Sequence, residues 1–142
     1  MDVKSREEII KFAQKLNSTN LSPLRSGNIS LKAQNNNEEG FLITPSGKKY
    51  DSLKADDIVF VSLEGRYDEK GLQPSSEWRF HKDIYLKKAD AKAVVHAHSP
   101  HATAVSAHNK DIPAFHYMIA LAGGDNIKLS LIHISEPTRP LY

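Results

Sequence analysis

Apolar residues follow a helical period near the amino end and form short runs further along the chain. Four of them fall on one helical face: Ile9, Phe12, Ala13 and Leu16. This spacing predicts an amphipathic helix, and Ser5 followed by Glu8 fits a capping box at its start. Apolar runs at 29–31 and 40–44, and the run IVFVSL within 56–63, predict three strands separated by polar turns with Gly, Pro and Asn.

The second half of the chain predicts helix, strand and helix in turn. SSEWRFHKDIYLKK predicts a helix that starts at Ser75 or Ser76, because small hydroxyl residues favour helix N-termini. AVVHAH at 93–98 predicts a strand, and a helix is expected over 100–107, with Pro in its first turn. No repeat or linker interrupts the pattern, which indicates one domain that mixes helices and strands.

Composition narrows the class of protein. With 142 residues, 39% hydrophobic and 25% charged, the chain is long enough for one domain with a real core. A net charge of +2 gives no reason to expect nucleic acid or a membrane as partner. The amino end is charged, and no apolar run approaches the ~20 residues of a membrane span, so a cytoplasmic protein is expected.

Histidines are the first candidates for chemistry, because the chain has no cysteine and a metal site must use His, Asp or Glu. His96 and His98 lie two apart on a predicted strand, so both side chains project from one face and can hold a divalent metal. The alternative is two polar strand residues that face water. His81 and His116 are expected to pack or to form hydrogen bonds.

Three short segments can bind an anion. In Pro74-Ser75-Ser76-Glu77, hydroxyls and backbone N–H groups meet at a helix start, although a plain N-cap has the same appearance. Beside a metal, Glu77 can act as ligand, as general base, or as each in turn. The loops at 26–28 and 44–47 are small and polar, which fits a phosphate site or ordinary turns. Tyr117 lies in an apolar segment, where a buried core tyrosine is the ordinary interpretation.

Read in order, SGNIS, ITPSG, PSSEWRFH, AVVHAH and IPAFHYMIA resemble the motif series of the class II aldolase/adducin family over roughly residues 5–128. Within that family the similarity is greatest to aldolases of L-fuculose 1-phosphate. The resemblance implies a three-layer α/β/α fold with a mixed, largely antiparallel sheet. It also implies a homotetramer with active sites between subunits.

The same resemblance assigns roles to individual residues. It makes His96 and His98 ligands of a divalent metal, with zinc expected, and Glu77 the acid/base that also contacts the metal. Tyr117 would reach a neighbouring subunit's site as proton donor. The substrate phosphate would be held by six residues: Gly27, Asn28, Ser46, Gly47, Ser75 and Ser76.

The implied activity is reversible cleavage of a ketose 1-phosphate, such as L-fuculose 1-phosphate, to dihydroxyacetone phosphate and an aldehyde. Pentulose-phosphate 4-epimerases and methylthioribulose-phosphate dehydratases belong to the same family, and these motifs separate them poorly. A non-enzymatic adducin-like binding domain is a third interpretation, which ranks low because such domains lack the metal ligands present here.

The carboxyl end departs from the family pattern. The family has a further histidine downstream, but the surroundings of His133 do not match it. The segment LSLIHISEPTR resembles a translated sequencing adapter, so residues 129–142 are expected to be a non-native read-through tail. Residues 1–128 would then be the amino-terminal portion of a domain that is incomplete at its C-terminus, with little or no activity on its own.

Overall fold

The computed structural model describes residues 3–24, 26–122 and 124–129, which divide into two compact units after His98. The first unit contains two helices and four strands: α1 (Val3–Ser18), β1 (Asn28–Asn35), β2 (Glu38–Ile43), β3 (Val59–Ser62), α2 (Trp78–Lys87) and β4 (Ala93–His96). Two single-turn 3₁₀ helices, Tyr50–Ser52 and Ala55–Asp57, lie between β2 and β3.

The strands form one sheet in the order β3-β2-β1-β4. Every pairing among the described strands is antiparallel, which confirms the predicted antiparallel character of the sheet. Strand β1 lies at its centre, and Ser30 of β1 pairs with Ile43 on one side and Val94 on the other. Residues at the start of β1 therefore lie beside the end of β4, where the first of the two candidate metal histidines, His96, is located.

Two hydrophobic clusters cover opposite faces of this sheet. On one face, Ile9 and Leu16 of α1 pack with Leu42 of β2. On the other face, Tyr85 of α2 packs against Phe41, with ring centroids 5.3 Å apart. Because side chains alternate along a strand, adjacent residues of β2 enter different clusters. The result is the predicted three-layer α/β/α arrangement.

Several predicted details were wrong. Helix α1 already includes Ser5, so Ser5 lies within the helix and not at its N-cap as predicted. Phe12 is 44% exposed, although the pattern placed it on the buried face. Helix α2 begins at Trp78, not at Ser75 or Ser76, because the Ser75 N–H donates to the Thr44 carbonyl and a turn precedes the helix.

The second unit contains helix α3 (Pro100–Ala107), with Pro in its first turn as predicted, and a 3₁₀ helix at Tyr117–Ala122. An isolated antiparallel bridge joins Ile112 to Ile127. Most of the expected tail at 129–142, including His133, lies outside the described residues. No helix in the described part of the chain combines the length and apolar character needed to cross a membrane.

Candidate metal centre

Two histidines converge at the end of β4. The Nε2 atoms of His96 and His98 are 2.9 Å apart, and their ring centroids are separated by 4.8 Å at nearly right angles. Strand β4 ends at His96, two residues earlier than predicted, yet both imidazoles still point to one place. The backbone N–H of His98 donates to the buried Ser22 Oγ at 2.7 Å, which fixes the chain just past the strand.

Glu77 completes a group of three possible metal ligands. Its Oε2 lies 3.5 Å from His96 Nε2, and the ligand atoms of Glu77, His96 and His98 all lie within 4.8 Å of one another. Ligand atoms around a tetrahedral zinc ion are separated by roughly 3.3 Å, given bonds of about 2.0–2.1 Å. Two imidazole nitrogens and one carboxylate oxygen at these separations therefore fit a divalent cation.

Gly27 allows the loop before β1 to approach the histidine strand. Its φ is +83°, and a Cβ placed on it would lie 2.6 Å from both the His96 carbonyl oxygen and Ser22 Oγ. The Tyr50 hydroxyl donates to the Gly27 carbonyl at 2.5 Å. Burial, with the charge of Glu77 adding to it, raises the pKa of Tyr50 to about 12, so the hydroxyl keeps its proton and remains a donor.

Two of the three predicted anion-binding segments, 44–47 and 74–77, lie side by side. The Ser46 N–H donates to the Gln73 carbonyl at 2.9 Å, and the Ser75 N–H donates to the Thr44 carbonyl at 3.0 Å. Ser46, Gly47 and Ser76 are exposed, whereas Ser75 is buried. The structure therefore brings these loops together just before Glu77, while their role in binding phosphate stays a prediction.

Asn28 is buried, and its side chain contacts the carboxylate of Glu77. Its Nδ2 donates to Glu77 Oε2, and its Oδ1 lies 2.5 Å from His81 Nε2. Both ends of the amide are therefore engaged beside the candidate metal ligands. The predicted contact of Asn28 with phosphate remains a prediction.

His81 is the site residue whose role the sequence did not reveal. Its ring is fully buried, and its Nδ1 lies 2.7 Å from Ser30 Oγ, which confirms the expected hydrogen-bonding residue. Burial, with the nearby His96 adding to it, lowers the pKa of His81 to about 3, so the ring is neutral. The spacing of four from Glu77 to His81, which places both on one side of a helix, was the available signal.

Tyr117 belongs to the second unit, where it begins the 3₁₀ helix. It is 81% exposed, so the ordinary interpretation as a buried core tyrosine is wrong. Its ring lies against that of His116, with centroids 4.5 Å apart. The role of Tyr117 as proton donor stays a prediction.

Comparison with known proteins agrees with the family resemblance of the sequence motifs. The chain matches the class II aldolase and adducin N-terminal domain over residues 7–137. It is 45% identical over 124 residues to L-fuculose phosphate aldolase of Escherichia coli strain K12, covering 87% of this chain and 55% of that protein. It is 42% identical over 124 residues to 5-methylthioribulose-1-phosphate/5-deoxyribulose-1-phosphate aldolase of Rhodospirillum rubrum, covering 87% and 54%.

Solved structures agree in fold. An L-fuculose 1-phosphate aldolase superposes with a TM-score of 0.80 at 34% identity, over 90% of this chain and 59% of that one. The L-fuculose-1-phosphate aldolase of Thermus thermophilus gives a TM-score of 0.69 at 26% identity, over 84% and 59%. The chain spans about half the length of the curated relatives it matches. By its domain match, its relatives and its fold, the chain belongs to the class II aldolase/adducin family.

Proposed function

We propose that the natural protein carrying this chain is a metal-dependent aldolase. It would reversibly cleave a ketose 1-phosphate, L-fuculose 1-phosphate or a close analogue, to dihydroxyacetone phosphate and an aldehyde. The observation that carries the proposal is the convergence of Glu77, His96 and His98 within 4.8 Å. Relatives named as aldolases of such phosphates support it.

The metal would be held by His96, His98 and Glu77. Zinc is the expected ion, because two imidazoles and a carboxylate are a common ligand set of catalytic zinc sites. When bound, the cation supplies Lewis-acid chemistry, which draws electron density from a substrate carbonyl and favours the negative charge that develops on cleavage.

Two side chains would move protons. Cleavage of the C3–C4 bond leaves its electron pair on the half that becomes dihydroxyacetone phosphate, and Glu77 in its acid form would deliver a proton to that carbon. Tyr117, from a neighbouring subunit, would accept the proton of the C4 hydroxyl as it becomes the aldehyde. In the direction of synthesis, each group would act in reverse.

Substrate positioning would fall to the small polar loops around Glu77. Gly27, Asn28, Ser46, Gly47, Ser75 and Ser76 would hold the phosphate. Fixing the phosphate would fix the reacting carbons relative to Glu77. The adjacent loops at 44–47 and 73–76, joined by backbone hydrogen bonds, support a shared anion site. We further propose a cytoplasmic homotetramer, and the exposure of Tyr117 supports its use at another subunit's site.

The test is an assay of the natural protein with L-fuculose 1-phosphate and with 5-deoxyribulose 1-phosphate. Dihydroxyacetone phosphate is coupled to NADH oxidation, with and without a chelator. We expect chelator-sensitive cleavage that Glu77→Gln reduces at least ~100-fold, a loss typical of a general acid–base group. Glu69→Gln removes an exposed carboxylate from the preceding loop and should leave the rate unchanged.

Other outcomes would select another function. Metal binding without cleavage would indicate an epimerase or dehydratase of the same family. No metal binding would indicate an adducin-like binding domain. Faster cleavage of 5-deoxyribulose 1-phosphate would keep the aldolase and change its substrate.

A further inference from the structure

A chain of buried polar groups leads from the core of the first unit to Glu77. Tyr85 OH lies 2.8 Å from Ser30 Oγ, Ser30 Oγ lies 2.7 Å from His81 Nδ1, and His81 Nε2 lies 2.5 Å from Asn28 Oδ1. The Asn28 Nδ2 then donates to Glu77 Oε2. The four residues that lead to Glu77 are each at most 2% exposed: Tyr85, Ser30, His81 and Asn28. Water is therefore excluded, and these groups must satisfy one another.

The residue spacings along helix α2 and strand β1 bring these polar groups together. Glu77, His81 and Tyr85 follow one another at intervals of four along the start and the inner face of α2. Asn28 and Ser30 lie two apart on β1 and share one face of the sheet. Four helical residues advance about 6 Å, and two strand residues advance about 6.6 Å. The helix and strand positions therefore stay matched over this distance.

When Glu77 is ionised, the available donors and acceptors allow only one direction of hydrogen-bond donation along this series of five residues. The carboxylate only accepts, so the Asn28 NH₂ faces it and the Asn28 oxygen faces His81. His81 must then carry its hydrogen on Nε2. Its ring is neutral, so Nδ1 accepts from the Ser30 hydroxyl. Ser30 in turn accepts from Tyr85.

The far end of the chain agrees with this direction. Burial raises the pKa of the Tyr85 hydroxyl, while its hydrogen bonds with the Ser30 side chain and the Val94 backbone oppose that rise, so the phenol keeps its proton. The Tyr85 hydrogen therefore remains for Ser30. Reversing every bond would turn the Asn28 oxygen toward the Glu77 carboxylate, and the two acceptors would repel each other.

We propose that His81 is a positioning residue: its Nε2–H tautomer, selected by Ser30 and Tyr85, orients the Asn28 amide, which holds Glu77 toward His96 and His98. This inference rests on the proposed function for what Glu77 does there. Partners of metal ligands fix ligand orientation, and their loss typically costs about 10–100-fold in metal affinity or activity.

The first test reads the tautomer and needs no substrate. In ¹⁵N-labelled natural protein at pH 7, long-range ¹H–¹⁵N spectra should show His81 with a protonated Nε2 and an unprotonated Nδ1. His81→Gln identifies the signal by its loss, and His108→Gln, which alters an exposed ring, should remove a different signal. An Nδ1–H tautomer or a doubly protonated ring would overturn the proposal.

The second test measures zinc affinity and kinetics. Ser30→Ala removes one oxygen and the donor that selects the tautomer, so the variant should fold and bind zinc at least ~10-fold more weakly. His81→Phe should act in the same direction and lower kcat more than it raises KM. His81→Gln can still donate toward Asn28, and it should recover part of both losses.

The outcomes separate this inference from the proposed function. Zinc affinity and kcat of folded Ser30→Ala and His81→Phe within twofold of the wild type would overturn the positioning role. If His81→Phe does not fold, Ser30→Ala and the tautomer decide. A wild-type protein that binds zinc but cleaves no sugar phosphate would remove the proposed function, while the expected tautomer and the weakened zinc binding of Ser30→Ala would keep the inference.

Discussion

At the scale of single residues, two glycines with similar backbone angles have different surroundings. Gly27 has φ +83° and Gly47 has φ +74°, a region that side chains other than Gly rarely adopt. A Cβ on Gly27 would lie 2.6 Å from the His96 carbonyl oxygen, whereas a Cβ on Gly47 would meet nothing within 4 Å. The pair therefore separates the cost of the backbone angle from the cost of a steric clash.

We predict that Gly27→Ala destabilises the protein clearly more than Gly47→Ala. Both variants carry the strain of positive φ, about 1 kcal/mol or more. Only Gly27→Ala must also displace the His96 backbone or the Ser22 side chain, and it should weaken zinc binding as well. Urea denaturation gives the free energies of unfolding. Equal losses in the two variants would show that the loop does not press on the histidine strand.

A second prediction concerns the metal ligands themselves. His96→Gln should lower zinc affinity by at least ~10-fold, because a neutral amide replaces an imidazole ligand. His108→Gln changes an exposed histidine of α3's C-terminal end and should leave the affinity unchanged. Isothermal titration with zinc measures both. An unchanged affinity in His96→Gln would place the metal elsewhere.

At the scale of elements, helix α1 is held by a narrower face than its periodicity indicates. Ile9 and Ala13 are fully buried, but Phe12 between them is 44% exposed and lies beside Lys15, whose Nζ is 5.5 Å from the ring centroid. Successive residues differ by about 100° around a helix, so a neighbour of a buried position can lie at the rim of the contact.

This difference predicts unequal costs for two truncations in α1. Ile9→Ala removes fully buried methyl groups from the cluster shared with Leu42 and Ile58, and should cost about 2–5 kcal/mol. Phe12→Ala removes a larger side chain but should cost under about 1.5 kcal/mol, since much of that side chain is already in water. Thermal and urea unfolding compare the two. A larger loss for Phe12→Ala would mean that another surface covers its ring.

Sequence patterns predicted the presence of helices and strands more accurately than the residues at which they end. The run 93–98 predicted a strand, but β4 ends at His96. Helix α2 starts later than its serines suggested, because the Ser75 N–H bonds to the Thr44 carbonyl. Such endings depend on partners distant in sequence. The same limit hid the Asn28–His81 contact, which requires the register of α2 on β1. Strand alternation alone predicted that His96 and His98 share one side, and their imidazoles do converge although β4 ends at His96.

At the scale of the whole molecule, burial of a neutral histidine couples folding to pH. His81 is fully buried in the first unit, and its folded pKa is lowered from 6.5 to about 3. Between these two values the unfolded chain binds a proton that the folded chain does not. The contribution of His81 to the free energy of unfolding is therefore fully present above pH 6.5 and is lost as the pH falls from 6.5 toward 3.

We predict that His81 alone contributes a slope of about 1.4 kcal/mol per pH unit to the free energy of unfolding below pH 6. Urea denaturation from pH 7 to pH 4, with a chelator present to remove metal linkage, should show this slope in the wild type. His81→Gln lacks the titrating ring, so its stability should fall less steeply by about that amount. His108→Gln, whose ring is exposed, should keep the wild-type slope.

Asp57 does not disturb this comparison. Burial acts to raise the pKa of Asp57, but its bonds to Lys48 and Lys54 outweigh burial and lower that pKa, so Asp57 loses its contribution only at lower pH, equally in all three proteins. The difference between wild type and His81→Gln therefore reports the His81 proton together with any change that the substitution causes at the neighbouring His96. Identical slopes in these two proteins would mean that His81 is protonated in the folded state. A protonated ring has no lone pair for the Ser30 hydroxyl, so the same result would also remove the oriented chain that leads to Glu77.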